Sequence, residues 1–130
     1  MLTVKTEENY TDALEEMGID SYDGMYVMAM RDSGLLMGVG TMRIFDGFAS
    51  LDNIYMKEEF KSFDLEYGMG KSMLNFLDLK GIRNVASNIE DERLLTALRF
   101  KPVQESGFAD EISGDWSYCL NLDGYFASNC

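Results

Sequence analysis

The distribution of hydrophobic positions along the chain predicts alternating strands and helices. Residues 2–6 fit a short strand, and residues 8–17 have the spacing of a short helix that Gly18 ends. Residues 25–30 are apolar at every position, which is typical of a strand covered on both faces. Turn residues follow, so the next strand, over residues 35–45, is expected to run antiparallel to it.

The middle of the chain predicts a hairpin followed by a strand–helix–strand unit. Asp46-Gly47 makes a tight turn into a strand over residues 48–56. Apolar residues between 69 and 80 then recur at helical spacing, and Gly81 stands where a left-handed C-terminal cap belongs. Residues 82–89 predict a strand parallel to the one before this helix, because such a unit forms a right-handed crossover.

The last third of the chain predicts one more helix and a closing pair of strands. Residues 94–98 contain three leucines at helical spacing, and Pro102 ends this short helix. Residues 103–105 and 115–122 fit an antiparallel pair, the second with alternate residues on one face. Those residues are Trp116, Tyr118, Leu120 and Leu122. The sequence therefore predicts a single-domain α/β fold with a mixed β-sheet flanked by helices.

Length and composition limit the chain to one domain. With 130 residues, 46% of them hydrophobic and 12% aromatic, it can bury one core but is too short for two. We expect the domain to span residues 1–123, with 124–130 as a C-terminal tail. Cys119 and Cys130 form no metal-binding pair or disulfide framework, and the first residues lack a signal-peptide pattern, so a cytoplasmic location is expected.

Charge and the absence of histidine narrow the chemistry. The net charge of -12 repels nucleic acid and anionic membranes and attracts amines or basic proteins, so neither nucleic acid nor membrane is an expected partner. A chain without histidine lacks the commonest general base and the commonest zinc ligand. Any proton transfer must therefore fall to carboxylates, Tyr, Cys, Lys or water, and no metal is expected.

Two glycines stand near the start of the best predicted helix. We expect Gly68 and Gly70 to lie in a loop, where their backbone amides approach an anionic ligand beside the free N–H groups of the helix. Relief of a tight loop is the alternative interpretation. Gly70-Lys71-Ser72 looks like the end of a nucleotide-binding P-loop, but Leu65 stands where that motif requires glycine.

Three short motifs occur in the order found in one known superfamily. Residues 67–74, Tyr-Gly-Met-Gly-Lys-Ser-Met-Leu, are similar to the glycine signature after the fourth strand of the GNAT acyl-CoA N-acyltransferases. Residues 58–61 resemble the segment before that signature, and residues 98–103 resemble the end of the superfamily's last helix. The predicted element order also matches, so the chain resembles a short and divergent member over nearly its whole length.

The resemblance implies transfer of an acyl group from an acyl-CoA, acetyl-CoA first among them, to a small-molecule amine or a protein amino group. It implies that the strand at residues 54–56 pairs with the pantetheine arm and that the amides of residues 67–71 hold the pyrophosphate. The residues so assigned to the cofactor are Ile54, Tyr55, Met56, Tyr67, Gly68, Met69, Gly70, Lys71, Ser72 and Asn88. A monomer or homodimer is expected.

Asp52 and Tyr118 are the candidate catalytic residues. Asp52 lies in the fourth strand, where many members of the superfamily carry a carboxylate, and could take the amine proton directly or through water. A merely solvated strand aspartate is the other interpretation. Tyr118 fits a catalytic role, but packing in the core or in the wall of the cleft is the favoured interpretation.

The chain also departs from the superfamily pattern. Leu65 stands where a Gln or Arg is expected, and Leu95 stands at the position of the usual tyrosine acid. The segment before the glycines is several residues longer than usual and adds Asp64 and Glu66, whose charge disfavours a nearby pyrophosphate. Arg99 replaces a glycine. These departures leave open a second function, a module of the same fold that binds a ligand or protein without catalysis.

Overall fold

The computed structural model describes residues 1–107 and 112–126, which form seven strands, four helices and a 3-10 turn at Glu58–Phe60. The strands are β1 (Leu2–Thr6), β2 (Met25–Asp32), β3 (Leu35–Ile44), β4 (Ala49–Met56), β5 (Asn84–Ser87), β6 (Lys101–Pro102) and β7 (Tyr118–Asn121). The helices are α1 (Thr11–Met17), α2 (Phe63–Leu79), α3 (Glu92–Ala97) and α4 (Val103–Ser106). All seven strands form one mixed sheet in the order β1-β2-β3-β4-β5-β7-β6.

The predicted mixed α/β sheet is confirmed. Strands β1 to β4 are antiparallel neighbours, and β5 lies parallel to β4 after the α2 crossover. The turns form where short polar residues and glycine tolerate a left-handed backbone, with φ of 52° at Ser33 and 91° at Gly34 between β2 and β3. Gly18 and Gly81 likewise adopt positive φ at the ends of α1 and α2.

The closing strands differ from the prediction. Residues 103–105 do not form a strand, because the backbone turns into α4 directly after the two-residue strand β6. β7 is also shorter than predicted and begins at Tyr118, so Trp116 lies outside it. Trp116 packs with Phe48 and Cys119 on one side of the sheet, whereas Leu120 belongs to the main core on the other side. β7 has only four residues, so the alternation of apolar and polar positions is too short to predict which side chains share one face of the sheet.

The main core lies between the sheet and α2 with α3. Met69, Met73, Leu74 and Leu77 of α2 are fully buried there, and a smaller core under α1 covers the opposite face of β2 and β3. Tyr125 also belongs to the main core and donates its hydroxyl to the Leu98 carbonyl (2.9 Å). Residue 125 of the predicted tail thus packs with the domain, and residues 127–130 lie outside the described residues.

Helix α2 begins earlier than predicted, so the glycine loop is absent. Ser62 caps the helix, accepting a hydrogen bond from the Leu65 N–H at 3.2 Å, and helical structure continues from Phe63. Gly68 and Gly70 thus lie in the second turn, where backbone N–H groups are used within the helix. The prediction of a loop at these glycines is wrong, because the residues that lengthen this segment extend the helix, and a helical backbone does not fit an anion cradle formed by their amides.

We expect the two glycines of α2 to respond oppositely to substitution. A Cβ on Gly70 would lie 2.6 Å from Cδ1 of the fully buried Leu98, whereas a Cβ on Gly68 would meet nothing within 4 Å. Gly70→Val should therefore lower the free energy of unfolding by about 2 kcal/mol through overpacking. Gly68→Ala should raise it by roughly 0.5–1 kcal/mol through helix propensity. Urea unfolding of both variants checks this, and a Gly70→Val protein as stable as wild type contradicts the packing.

Candidate functional site

The parallel strands β4 and β5 separate at the middle of the sheet. Their pairing covers only Ala49 to Leu51 of β4 and ends at Ser87 of β5, whose hydroxyl donates to the Leu51 carbonyl (2.8 Å). Beyond Leu51, β4 continues to Met56 while paired with β3 alone. The sheet therefore opens into a cleft along the second half of β4.

The backbone of Ile54 and Met56 faces this cleft. Lys57 donates its N–H to the Met37 carbonyl of the β3 side at 2.9 Å, and polar backbone groups alternate in direction along a strand. The N–H groups of Tyr55 and Asn53 consequently point toward β3, and those of Ile54 and Met56 point away from it. No described residue accepts a hydrogen bond from either of these two N–H groups.

A β-bulge in β4 gives Asp52 its position. Thr41 pairs with Asn53 and Met42 pairs with Leu51, so Asp52 is an extra residue without a partner in β3. A bulge turns two successive side chains toward the same side of a strand. Asn53 accordingly contacts the Thr41 hydroxyl (3.4 Å) on the face where Asp52 meets Arg43 of β3.

The Asp52 carboxylate accepts four hydrogen bonds. Arg43 donates Nε to Oδ2 (2.8 Å) and Nη2 to Oδ1 (3.0 Å), Tyr22 donates its hydroxyl to Oδ2 (2.7 Å), and Ser50 donates to Oδ1 (2.6 Å). The side chain is only 7% exposed. A carboxylate offers about four lone-pair sites, so these donors leave no site for a substrate proton. The geometry favours a positioning role for Asp52 over that of general base.

Tyr22 and Arg43 complete this cluster. Burial, together with the adjacent Asp52 carboxylate, raises the pKa of Tyr22 to about 12, so its hydroxyl stays protonated and donates at neutral pH. The Arg43 guanidinium lies within 6 Å of the ring centres of Tyr22, Phe45 and Trp116. Stacking and the ion pair therefore fix Arg43 in one orientation.

A cavity of about 530 Å³ opens beside the cluster. Its walls come from the α1–β2 connection, β3, the β4 bulge, the end of β5 and the segment before β7. The residues are Tyr22, Asp23, Arg43, Asp52, Asn53, Asn88 and Trp116. Asp23 has no hydrogen-bond or ion-pair partner among the described residues, and the Trp116 indole already donates to the Ser113 carbonyl (2.8 Å). The cavity thus offers aromatic walls and one unpaired carboxylate.

The other predicted site residues lie in three different environments. Asn88 lines the cavity, but its side-chain amide is hydrogen-bonded to the segment before β7. It donates to the Asp115 carbonyl (2.9 Å) and accepts from the Ser117 N–H (2.7 Å). Tyr118 packs against the main core and does not line the cavity. Lys71 and Ser72 line a groove between α2 and β1. Among the described residues, Tyr118 therefore does not join Asp52 in the lining of this cavity.

Three residues of the cavity were not predicted as site residues: Tyr22, Arg43 and Trp116. Each comes from a different segment, and only the folded sheet brings them to Asp52. An arginine within an otherwise apolar strand was the one available signal for Arg43, since a half-buried arginine needs a carboxylate partner.

Metal-binding groups and membrane-spanning helices are both absent from the described residues. They contain no group of three or more Cys, Asp or Glu side chains arranged to hold a metal ion. Among the described helices, none combines the length and hydrophobicity that crossing a bilayer requires.

The GNAT fold of acyl-CoA N-acyltransferases is defined by three features that this chain shares. They are a mixed sheet with this strand order, a bulge in β4, and a cleft where β4 and β5 separate. Comparison with solved structures confirms that fold for this chain. The ribosomal-protein-S18-alanine N-acetyltransferase of Escherichia coli superposes with a TM-score of 0.67 at 13% identity, over 94% of this chain and 94% of that chain.

Two further acetyltransferases show the same fold. The IAA acetyltransferase from Bacillus cereus ATCC 14579 gives a TM-score of 0.68 at 9% identity, over 94% of this chain and 100% of that chain. A GNAT family acetyltransferase from Elizabethkingia anophelis was solved with acetyl-CoA bound. It gives a TM-score of 0.58 at 10% identity, over 92% of this chain and 94% of that chain. Scans against protein-family models and curated proteins gave no match. The likeness thus lies in the fold.

Proposed function

We propose that this chain transfers an acyl group from an acyl-CoA, acetyl-CoA first among them, to an amine. The observation that carries the proposal is the free backbone edge of β4 at Ile54 and Met56 beside the cavity at Asp52. In the reaction the amine nitrogen bonds to the thioester carbon, the carbon–sulfur bond breaks, and the amine proton leaves as the CoA thiol forms. The Met56 N–H is the donor available to the carbonyl oxygen.

The residues fit one part of an acyl-CoA well and another part poorly. The pantetheine arm carries amide groups, and the unpaired backbone of Ile54 and Met56 offers them strand-like partners. The glycine amides of α2 do not fit the pyrophosphate, because they lie within the helix. Of the residues that the sequence assigned to the cofactor, Ile54 to Met56 are therefore the ones we retain.

The acceptor would enter through the 530 Å³ cavity. Asp23 is the cavity carboxylate without a partner among the described residues, so we assign proton acceptance to Asp23 or to water rather than to Asp52. The net charge of -12 attracts cationic amines, and the acceptor class we propose is therefore a cationic small molecule or a protein amino group.

The test is acetyl-CoA turnover with a panel of primary amines, followed by detection of released thiol. We expect acetyl-CoA to raise the melting temperature and cationic amines to release thiol above the rate without enzyme. Turnover with a cationic amine should fall at high ionic strength, since salt screens the steering field. A protein that shows neither a thermal shift nor thiol release at millimolar acetyl-CoA overturns the proposal.

A non-catalytic binding module is the second candidate. Asp64 and Glu66 in the first turn of α2 and the fully occupied Asp52 carboxylate favour it. A thermal shift with acetyl-CoA but no thiol release with any amine of the panel would identify this module instead of an enzyme.

A further inference from the structure

Arg43 leaves part of its hydrogen-bonding capacity unused. A guanidinium carries five N–H donors in one plane. Arg43 donates through Nε and Nη2 to the two Asp52 oxygens, at 2.8 and 3.0 Å, along one edge of that plane. Its Nη1 atom has no hydrogen-bond acceptor among the described residues. A second edge of the guanidinium, which contains Nη1, is therefore free to bind another group.

The other two arginines that form ion pairs within the described residues use their Nη1 atoms. Arg31 makes the same two-bond contact with Glu7 through Nε and Nη2, but its Nη1 donates to the Gly34 carbonyl (3.1 Å). Arg83 likewise donates through both Nη1 and Nη2. Of these three arginines, Arg43 is thus the one that keeps an unused edge in the described part of the chain.

The unused edge belongs to a side chain that lines the 530 Å³ cavity. The Arg43 side chain is 35% exposed, whereas its partner Asp52 is almost buried. The ring centres of Tyr22, Phe45 and Trp116 lie within 6 Å of the guanidinium carbon. A guanidinium packed against aromatic rings keeps its N–H groups for hydrogen bonds in its own plane. Because the orientation is already fixed, a ligand that binds this edge loses less free energy in ordering it.

Asp23 supplies the opposite charge in the same cavity. Its carboxylate has no hydrogen-bond or ion-pair partner among the described residues. An amine is the natural partner of that carboxylate, and a carboxylate is the natural partner of a guanidinium edge. The cavity therefore complements a molecule that carries both an amine and a carboxylate.

We propose that the acceptor of the acyl group is a free amino acid, whose carboxylate binds the unused edge of Arg43 and whose amine lies toward Asp23. This inference rests on the proposed function. The amine nitrogen bonds to the thioester carbon, the carbon–sulfur bond breaks, and the proton lost by the amine passes to Asp23 or water. The departing sulfur takes up a proton, so the products are an N-acylated amino acid and the CoA thiol.

Charge then selects among amino acids. The net charge of -12 repels acidic molecules and attracts cations. A basic amino acid has a net positive charge yet keeps the carboxylate that Arg43 binds, so it suits both the field and the cavity. The aromatic rings of Tyr22 and Trp116 in the cavity wall offer faces to a side-chain cation. We expect free lysine and arginine to be the best acceptors and glutamate the poorest.

The experiment compares each amino acid with the amine that lacks only its carboxylate, lysine with cadaverine and arginine with agmatine. Calorimetric titration without acyl-CoA measures binding, and thiol release with acetyl-CoA measures turnover. The wild type should bind lysine at least about tenfold more tightly than cadaverine, because a hydrogen bond between charged groups accounts for roughly that factor. This comparison needs no variant, so an unstable variant cannot prevent the test.

Arg43→Lys removes the unused edge and keeps a cation beside Asp52. The preference for lysine over cadaverine should fall about tenfold in this variant. Arg31→Lys is the matched control, because Arg31 makes the same contact with a carboxylate but does not line the cavity. Its preference should equal that of the wild type.

The outcomes separate this inference from the proposed function. A wild-type preference for lysine that Arg43→Lys loses supports the inference. Equal binding of lysine and cadaverine, a preference that Arg43→Lys retains, or binding of neither compound overturns it, and thiol release with cadaverine would then leave the acyltransferase intact. Lysine binding that depends on Arg43 but gives no thiol release with acetyl-CoA supports amino-acid recognition and overturns acyl transfer.

Discussion

Met56→Pro is expected to lower kcat of acyl transfer by about two to three orders of magnitude, the usual effect of losing one oxyanion donor. Proline has no N–H, and the Met56 N–H points into the cleft rather than toward β3. Tyr55 already has the extended backbone that a following proline requires. The substitution should therefore remove the donor while preserving the pairing of β3 with β4.

Two controls accompany Met56→Pro. Met56→Ala shortens the side chain but keeps the N–H, so it should retain most of the rate. Tyr55→Pro removes an N–H that points toward β3 and should lower stability in urea unfolding. Thiol release measures the rates, and equal rates for Met56→Pro and Met56→Ala would show that this N–H has no part in the reaction.

The regular parts of the fold were predictable because local sequence determines them. The apolar run of β2 reflects burial on both faces of the strand, and Gly81 at the end of α2 reflects a left-handed backbone. Both constraints act within a few residues of the chain. The parallel pairing of β4 and β5 followed from the handedness of the crossover. The strand β6 and the helix α4 were not predictable, because segments of two and four residues are too short to show a hydrophobic periodicity. The pairing of β6 with β7 also depends on residues distant in sequence.

The start of α2 shows why the candidate cofactor site was only partly predictable. Apolar spacing from residue 69 onward led to the expectation of a loop at Gly68 and Gly70, whereas Ser62 caps a helix that already begins at Phe63. Close packing, rather than contact with a ligand, explains why position 70 is a glycine, because Leu98 occupies the space that a side chain would need. A glycine pattern does not distinguish contact with a ligand from contact with a leucine.

Of the residues that line the cavity, only Asp52 and Asn88 were candidate site residues from the sequence, and Asp52 shows what the sequence could not predict. Asp52 was a candidate because it is a carboxylate in a strand. Three of the four hydrogen bonds to it come from Tyr22 and Arg43, which belong to other segments of the chain. The bulge that exposes it to Arg43 also has no sequence signature, because it depends on the register of β3 against β4. The sequence identified Asp52 as a strand carboxylate, whereas its hydrogen-bond partners depend on tertiary contacts.

Asp52→Asn is the second change with a large expected effect. An amide at this position cannot accept the two Arg43 bonds in their present form, and the guanidinium loses its carboxylate. Removal of one partner of a largely buried ion pair should lower the free energy of unfolding by about 3 kcal/mol. Ser50→Ala, which removes only one donor to the same carboxylate, should cost about 1 kcal/mol.

The kinetics of Asp52→Asn separate positioning from base catalysis. A positioning role predicts a raised KM for the amine with an unchanged shape of the pH–rate profile, because Arg43 and Tyr22 shape the cavity through Asp52. A general base predicts loss of kcat by two orders of magnitude or more and loss of the corresponding limb of the profile. Adding Arg43→Met should restore about 2 kcal/mol of stability, since the unpaired charge is then gone. A double variant no more stable than Asp52→Asn would show that the ion pair does not hold this cavity together.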